Sequence, residues 1–236
     1  MENILEVKNL CKSYGRKNVL NDISFTIAPG KIVGLLAPNG EGKTTLIKLI
    51  AGLITQNSGS ITVCGKRIGR ESKAIVSYMA DRNVFANLTK VKEAIDNYEY
   101  FFADFDREKA ERFIKQTSIS LNDRVGKLSK GKTELLYMML TLSRKAGLYV
   151  LDEPLANVDP AKREYIINTM LKEFNEDSSI LISTHLIADV ENVLDEVIIL
   201  SNNKLLIHDT ADNIRETNNC SLNEFFKKTF AVNFDV

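Results

Sequence analysis

Apolar and polar residues alternate from Leu5 to Val7 and again from Ser24 to Ile27, on either side of a turn-rich stretch around Ser13-Tyr14-Gly15-Arg16. A period of two puts successive side chains on opposite faces of a strand, so this opening predicts a short antiparallel sheet. After the turn Pro29-Gly30 the pattern changes to Ile32-Val33-Gly34-Leu35-Leu36, the near-continuous apolar run of a strand buried on both faces. A helix is predicted from Lys43 to Ala51, with Leu46, Ile47, Leu49 and Ile50 as its apolar positions and Gly52 as its stop. From Asn83 to about Lys127 the chain turns helical and aromatic, with Tyr98, Tyr100, Phe101, Phe102, Phe105 and Phe113 set between charges, which predicts an inserted helical lobe. Buried-strand patterns return at Leu148 to Leu151, Ser179 to Ser183 and Glu196 to Leu200, with helical stretches at Ala161 to Phe174 and Ile187 to Leu194 between them. That alternation predicts a parallel α/β sheet. Ser221 to Phe230 reads as a short amphipathic helix whose apolar face is Phe225, Phe226 and Phe230.

Composition narrows the functional classes. With 236 residues, 44% hydrophobic and 26% charged, the chain is an ordinary folded protein of one compact unit carrying an inserted lobe. Lys plus Arg (31) equals Asp plus Glu (31), so no overall positive field exists to hold a nucleic-acid backbone, and no nucleic-acid partner is expected. Cys11, Cys64 and Cys220 form no Cys-x-x-Cys pair, which argues against a zinc site and for a reducing compartment. Acidic residues near the N-terminus stand where a signal peptide needs a basic region, and no run of about 18 apolar residues is present to cross a bilayer. The expectation is a cytoplasmic protein whose membrane work, if any, goes through another polypeptide.

The segment Ala37-Pro38-Asn39-Gly40-Glu41-Gly42-Lys43-Thr44 fits the phosphate-loop pattern G-x-x-x-x-G-K-[ST] except at its first position, where alanine replaces glycine. Its context, a buried strand before and a helix after, is the right one. Backbone N–H groups of Asn39 through Thr45 and the positive helix end would surround a triphosphate, with Lys43 bridging the terminal phosphates and the Thr44 hydroxyl on Mg2+. Ala37 either reaches the required backbone angles or carries a strain on the order of 1 kcal/mol. Leu148-Tyr149-Val150-Leu151-Asp152-Glu153 is an apolar strand ending in two acids at the sheet edge where α/β folds bind ligands. Asp152 would hold magnesium through water, and Glu153 would orient or deprotonate the attacking water.

Before that strand stands Leu128-Ser129-Lys130-Gly131-Lys132, and with it the chain resembles the nucleotide-binding subunits of ATP-binding cassette (ABC) transporters. Their signature is typically Leu-Ser-Gly-Gly-Gln, so Ser129 and Gly131 match while Lys130 and Lys132 depart. Those lysines either add attraction to the triphosphate or are solvated, as exposed lysines more often are. Tyr14 looks like the family's adenine-stacking aromatic, Leu155 to Pro160 like the loop after the catalytic glutamate, and His185 like its switch histidine. His208 has no such context. The resemblance runs from about Leu5 to Ile207 with five motifs in family order.

It implies a P-loop NTPase core with a parallel sheet and an N-terminal antiparallel β subdomain (1–81 and 136–220), an inserted helical subdomain (82–135) and a short tail (221–236). It also implies ATP and Mg2+ as cofactors, and Ser129 and Gly131 acting in trans in a head-to-tail homodimer or a pair with a related ABC subunit. A separate transmembrane permease subunit would hold the protein at the cytoplasmic face of the membrane. Where the family has a glutamine that contacts magnesium and water, this chain has Asp81, a further candidate metal ligand. Brevity, the basic signature and the Ser221 to Phe226 tail look most like bacterial exporters of the antibiotic-resistance or peptide-export type. Against this stand a soluble ABC protein of ribosomes or DNA, which would bring a second cassette or a long coiled-coil insertion, and a small-molecule kinase or GTPase; a GTPase would need a guanine-reading Asn-Lys-x-Asp element that is not found, and neither would need Leu128 to Lys132.

Overall fold

The computed structural model describes residues 3–80 and 85–231. In chain order the elements are β1 (Leu5–Tyr14), β2 (Lys17–Ile27), β3 (Ile32–Leu36), α1 (Lys43–Ile50), β4 (Ser58–Val63), β5 (Lys66–Arg67), α2 (Arg70–Ile75) and β6 (Val76–Met79). There follow α3 (Val91–Phe101), α4 (Arg107–Lys115), a 3-10 turn at Val125–Lys127, and α5 (Lys130–Leu142). The remainder is β7 (Leu148–Asp152), α6 (Pro160–Glu173), β8 (Ser179–Ser183), α7 (Ile187–Val190), β9 (Glu196–Ser201), β10 (Lys204–Thr210), α8 (Ala211–Asn218) and α9 (Leu222–Thr229).

Two sheets form. The first is antiparallel, in the order β2-β1-β4-β5, with Leu5 opposite Ile27 and Val63. The second runs β10-β9-β3-β8-β7-β6, parallel from β9 to β6 with β10 as an antiparallel edge. Every residue of β3, β7 and β8 is buried, as parallel strands covered on both faces must be. Alternate residues feed two separate cores. Ile32 and Leu36 face a core built with α3 to α9, whereas Val33 and Leu35 face one built with α1 and the antiparallel sheet.

The expected elements are found, and the structure adds β4, β5, α2 and α8, which the apolar pattern did not mark. The stretch Ile187 to Leu194 is regular helix only as far as Val190, because the Leu194 side chain is buried against Gly34 and draws the chain down toward β9. The strand β10 escaped the hydrophobic pattern because an edge strand with exposed positions carries no continuous apolar run. None of the helices among the described residues is long and apolar enough to cross a membrane.

The aromatic lobe divides in two. Tyr98 packs against Phe85, Phe102 and Phe105, while Tyr100 (83%) and Phe101 (72%) stand exposed. A buried arginine fastens the lobe to the sheet. Arg144 pairs with Asp104 at 3.0 Å, donates to the carbonyls of Val76 and Ala74 at 2.7 Å each, and lies 4.1 Å from the centre of the Phe102 ring. Removing it strands both a carboxylate and two carbonyls, and partial exposure of Asp104 moderates the loss. Arg144→Met is therefore expected to lower the unfolding free energy in urea by about 3 kcal/mol. A change below about 1 kcal/mol would mean that the pin carries no weight.

Candidate functional site

The site is built by strand ends. The parallel register sets Leu35 beside Ser183, and Ser183 beside Asp152, so β3, β8 and β7 finish side by side and deliver their following loops to one edge. Between β3 and α1 the loop 37–42 winds through Gly40 at φ 88° and Gly42 at φ 94°. These left-handed angles turn successive N–H groups toward a common point. At Gly42 a side chain would also meet the Val19 carbonyl at 2.9 Å, so glycine is required twice over. Ala37 has no positive φ, so the strain considered for this departure from the loop pattern does not arise.

Lys17, Val19, Pro38, Asn39, Gly40, Gly42, Lys43, Thr44, Thr45 and Glu153 surround an open cleft of about 320 Å³. Lys43 bends back over the loop, its ammonium 2.5 Å from the Ala37 carbonyl. Burial lowers its pKa, against the opposing pull of Glu153, Asp152 and Glu41. Glu41 points elsewhere: its carboxylate accepts the Asn203 N–H at 3.2 Å, tying the loop to the β9–β10 hairpin. Lys17 lines the cleft without having been singled out in the sequence. It sits opposite Tyr14 at the end of the β1–β2 hairpin. Tyr14 is half-exposed, with the Lys12 ammonium 5.0 Å from its ring centre.

At the end of β7, Asp152 is buried and accepts the Ser183 hydroxyl at 2.6 Å. The next residue, Glu153, has φ 52°, a left-handed angle uncommon for a residue with a side chain and the kind of local strain that surrounding structure must hold. Two contacts hold it. Its N–H donates to the Ser183 carbonyl at 3.0 Å, and its Oε2 meets His185 at both the backbone N–H (3.2 Å) and Nδ1 (2.8 Å). Glu153 thus borders two spaces, the loop cleft and a second cleft of about 330 Å³ beneath α5 that Asp152, Lys130, Glu134 and Asn157 also line.

Ser129 and Gly131 are not part of the loop cleft. Ser129 caps α5, accepting the Lys132 N–H at 3.4 Å, and borders a separate hollow with Gly131, Lys132 and Tyr165. Lys132 is occupied within its own chain, its ammonium donating to the Ser118 carbonyl at 2.9 Å. Lys130 is exposed. His208, set aside in the sequence, pairs with Glu196 at 3.0 Å. Asp81 lies outside the described residues. Ser183, like Lys17, was not singled out in the sequence, although a hydroxyl at a strand end two residues before His185 was there to be read.

Glycine-bent N–H donors, a lysine and a hydroxyl at a helix start, with carboxylates at the end of β7 across β8, suit a magnesium-bound polyphosphate. Relatives agree with that chemistry. The family model described as ABC transporter matches residues 20–156. The ABC transporter ATP-binding protein YtrB of Bacillus subtilis is 30% identical over 236 residues, covering 99% of this chain and 78% of that protein. The lipopolysaccharide export system ATP-binding protein LptB of Haemophilus influenzae is 30% identical over 222 residues, covering 89% and 92% respectively. A solved structure of the ATP-binding subunit of an ABC transporter superposes with a TM-score of 0.83 at 28% identity, covering 95% of this chain and 98% of that one. Because the family model spans more than half of the chain and full-length relatives share its fold, this protein belongs to the ABC transporter family as an ATP-binding subunit, an ATPase coupled to transport.

Proposed function

We propose that this chain is the MgATP-hydrolysing motor of an exporter, closing head to tail with a second cassette and driving a separate transmembrane subunit at the cytoplasmic face of the membrane. The observation that carries the reading is the position of Glu153, held by His185 at the meeting of the loop cleft and the cleft beneath α5. Asn39, Gly40, Gly42, Lys43, Thr44 and Thr45 would enclose the phosphates, with the Glu41 backbone completing the loop. Tyr14 would stack on the base. Thr44 and Asp152 would hold magnesium, which when bound offsets charge on the terminal phosphates. Glu153 would take the proton of the attacking water, and His185 would fix its carboxylate and the γ-phosphate.

Ser129 and Gly131 border a different hollow from the loop cleft of their own chain. That separation supports their use in trans, by a second copy or a related subunit. Export is supported by similarity to a protein named for an export system. The exposed pair Tyr100 and Phe101 would offer the transmembrane subunit an apolar foothold.

Glu153→Gln tests the reading directly. It is expected to retain ATP binding, lose at least about 100-fold in kcat, and double in solution mass when MgATP is added. Hydrolysis near the unsubstituted rate would remove Glu153 from the mechanism, and a monomer at saturating MgATP would remove self-pairing.

Lys43 gives a second expectation. Its pKa is lowered from 10.5 before nucleotide binds, chiefly by burial. A triphosphate favours the charged form, so the bound-state pKa is higher and binding takes up a proton between the two values. ATP affinity should therefore fall as pH rises through the free-state value. Titration calorimetry at a series of pH values rising to the ordinary lysine value, in buffers of different ionisation enthalpy, should read net proton uptake at its upper end, and its absence throughout would contradict the assignment.

A further inference from the structure

The carboxylate of Glu134, in the second turn of α5, grips the loop that follows Glu153. Its Oε2 accepts the Asn157 backbone N–H at 3.0 Å, and its Oε1 accepts the Asn157 side-chain amide. Both bonds are charge-assisted and both end on one residue, so together they fix orientation as well as distance. From the other side, the first turn of α5 lies against the same residue: a side chain at Gly131 would come within 3.2 Å of the Asn157 carbonyl oxygen. Asn157 is therefore held by α5 at its N–H and its side chain, with little room between its carbonyl and the helix.

The loop between Asn157 and Glu153 has little freedom to absorb a displacement. The Ala156 N–H donates to the Glu153 carbonyl at 3.2 Å, and the Val158 N–H donates to the Leu155 carbonyl at the same distance. Leu155 and Val158 are buried in the core. A shift of α5 at Asn157 thus reaches, through two linked turns, the carbonyl of the residue that already sits at a strained φ of 52°. The helix making the grip is the one capped by Ser129.

We infer that Glu134 is a positioning residue for hydrolysis: it locks the Glu153–Asp159 loop to α5, so that the place of the Ser129–Gly131 turn sets the orientation of the Glu153 carboxylate. The inference rests on the proposed role of Glu153. Its alternative is a half-exposed hydrogen bond that adds only stability.

The test compares Glu134→Ala, Asn157→Ala, the double variant and Glu134→Gln, each by steady-state MgATP hydrolysis. Each alanine variant is expected to lower kcat about 5- to 10-fold while KM stays within about 2-fold, because binding does not use the grip. The double variant should lose no more than the worse single, the sign of one shared interaction. Glu134→Gln, which keeps one acceptor and the side-chain shape, should recover part of the lost kcat. Unchanged kcat in Glu134→Ala, a KM effect alone, or losses that multiply in the double variant would each overturn the inference. A second arm places Glu134→Ala in the Glu153→Gln background and measures MgATP-dependent mass. Dimerisation of Glu153→Gln with and without Glu134→Ala is expected; its abolition by Glu134→Ala alone would make Glu134 a closure residue and overturn the positioning role. Failure of Glu153→Gln itself to lose hydrolysis would instead sink the reading of Glu153.

Discussion

The site depends on Ser183, where two strands are brought into step. Its hydroxyl holds Asp152 and its carbonyl holds the N–H of Glu153, so one residue at the end of β8 fixes both acids at the end of β7. The parallel register makes this possible, because Asp152 and Ser183 are paired residues. A one-residue slip would turn Asp152 to the other face of the sheet and move Glu153 out of reach of His185. Such a slip would also send each side chain of β3, β7 and β8 into the other, differently shaped core, and close packing opposes that exchange.

With the strand ends fixed, chemistry comes from what each loop does next. The β3 loop bends through two left-handed glycines into α1. The loop after β7 turns at once through Glu153 in a left-handed conformation. After β8, His185 returns to the Glu153 carboxylate within two residues. Asn203 ties the phosphate-loop side of the arrangement to the β9–β10 hairpin through Glu41, and Glu134 ties the Glu153 side to α5. The sheet is rigid by burial, whereas these two ties are hydrogen bonds between partly exposed groups and can be altered without unfolding the core.

Much of this was legible in the sequence because it rests on local patterns. Continuous apolar runs marked the buried strands, and loop chemistry next to them marked Lys43, Thr44, Asp152 and Glu153, whereas His185 came only from the family resemblance. What was not legible is contact between polar residues far apart in the chain. Glu134 and Asn157 are 23 positions apart and carry no periodic signal. Glu41 and Asn203 are 162 apart, so no local pattern showed that the carboxylate of a glutamate inside the phosphate loop serves the neighbouring hairpin. Lys132 departs from the family pattern, and its hydrogen bond to the Ser118 carbonyl, 14 positions earlier, likewise had no local signal. Helix α7 was overestimated because Leu194 continues an apolar period while packing as a tertiary anchor.

In the proposed self-pairing, the loop cleft of one copy is completed by Ser129 of another. This pairing is tested most directly by mixing two single-cysteine variants, Asn39→Cys and Ser129→Cys, each made with Cys11, Cys64 and Cys220 replaced by alanine and with Glu153→Gln. A short bifunctional thiol reagent is then added with and without MgATP. Self-pairing predicts a covalent dimer in the mixture, dependent on MgATP and absent from either variant alone. Failure to cross-link while both variants demonstrably bind ATP would contradict it.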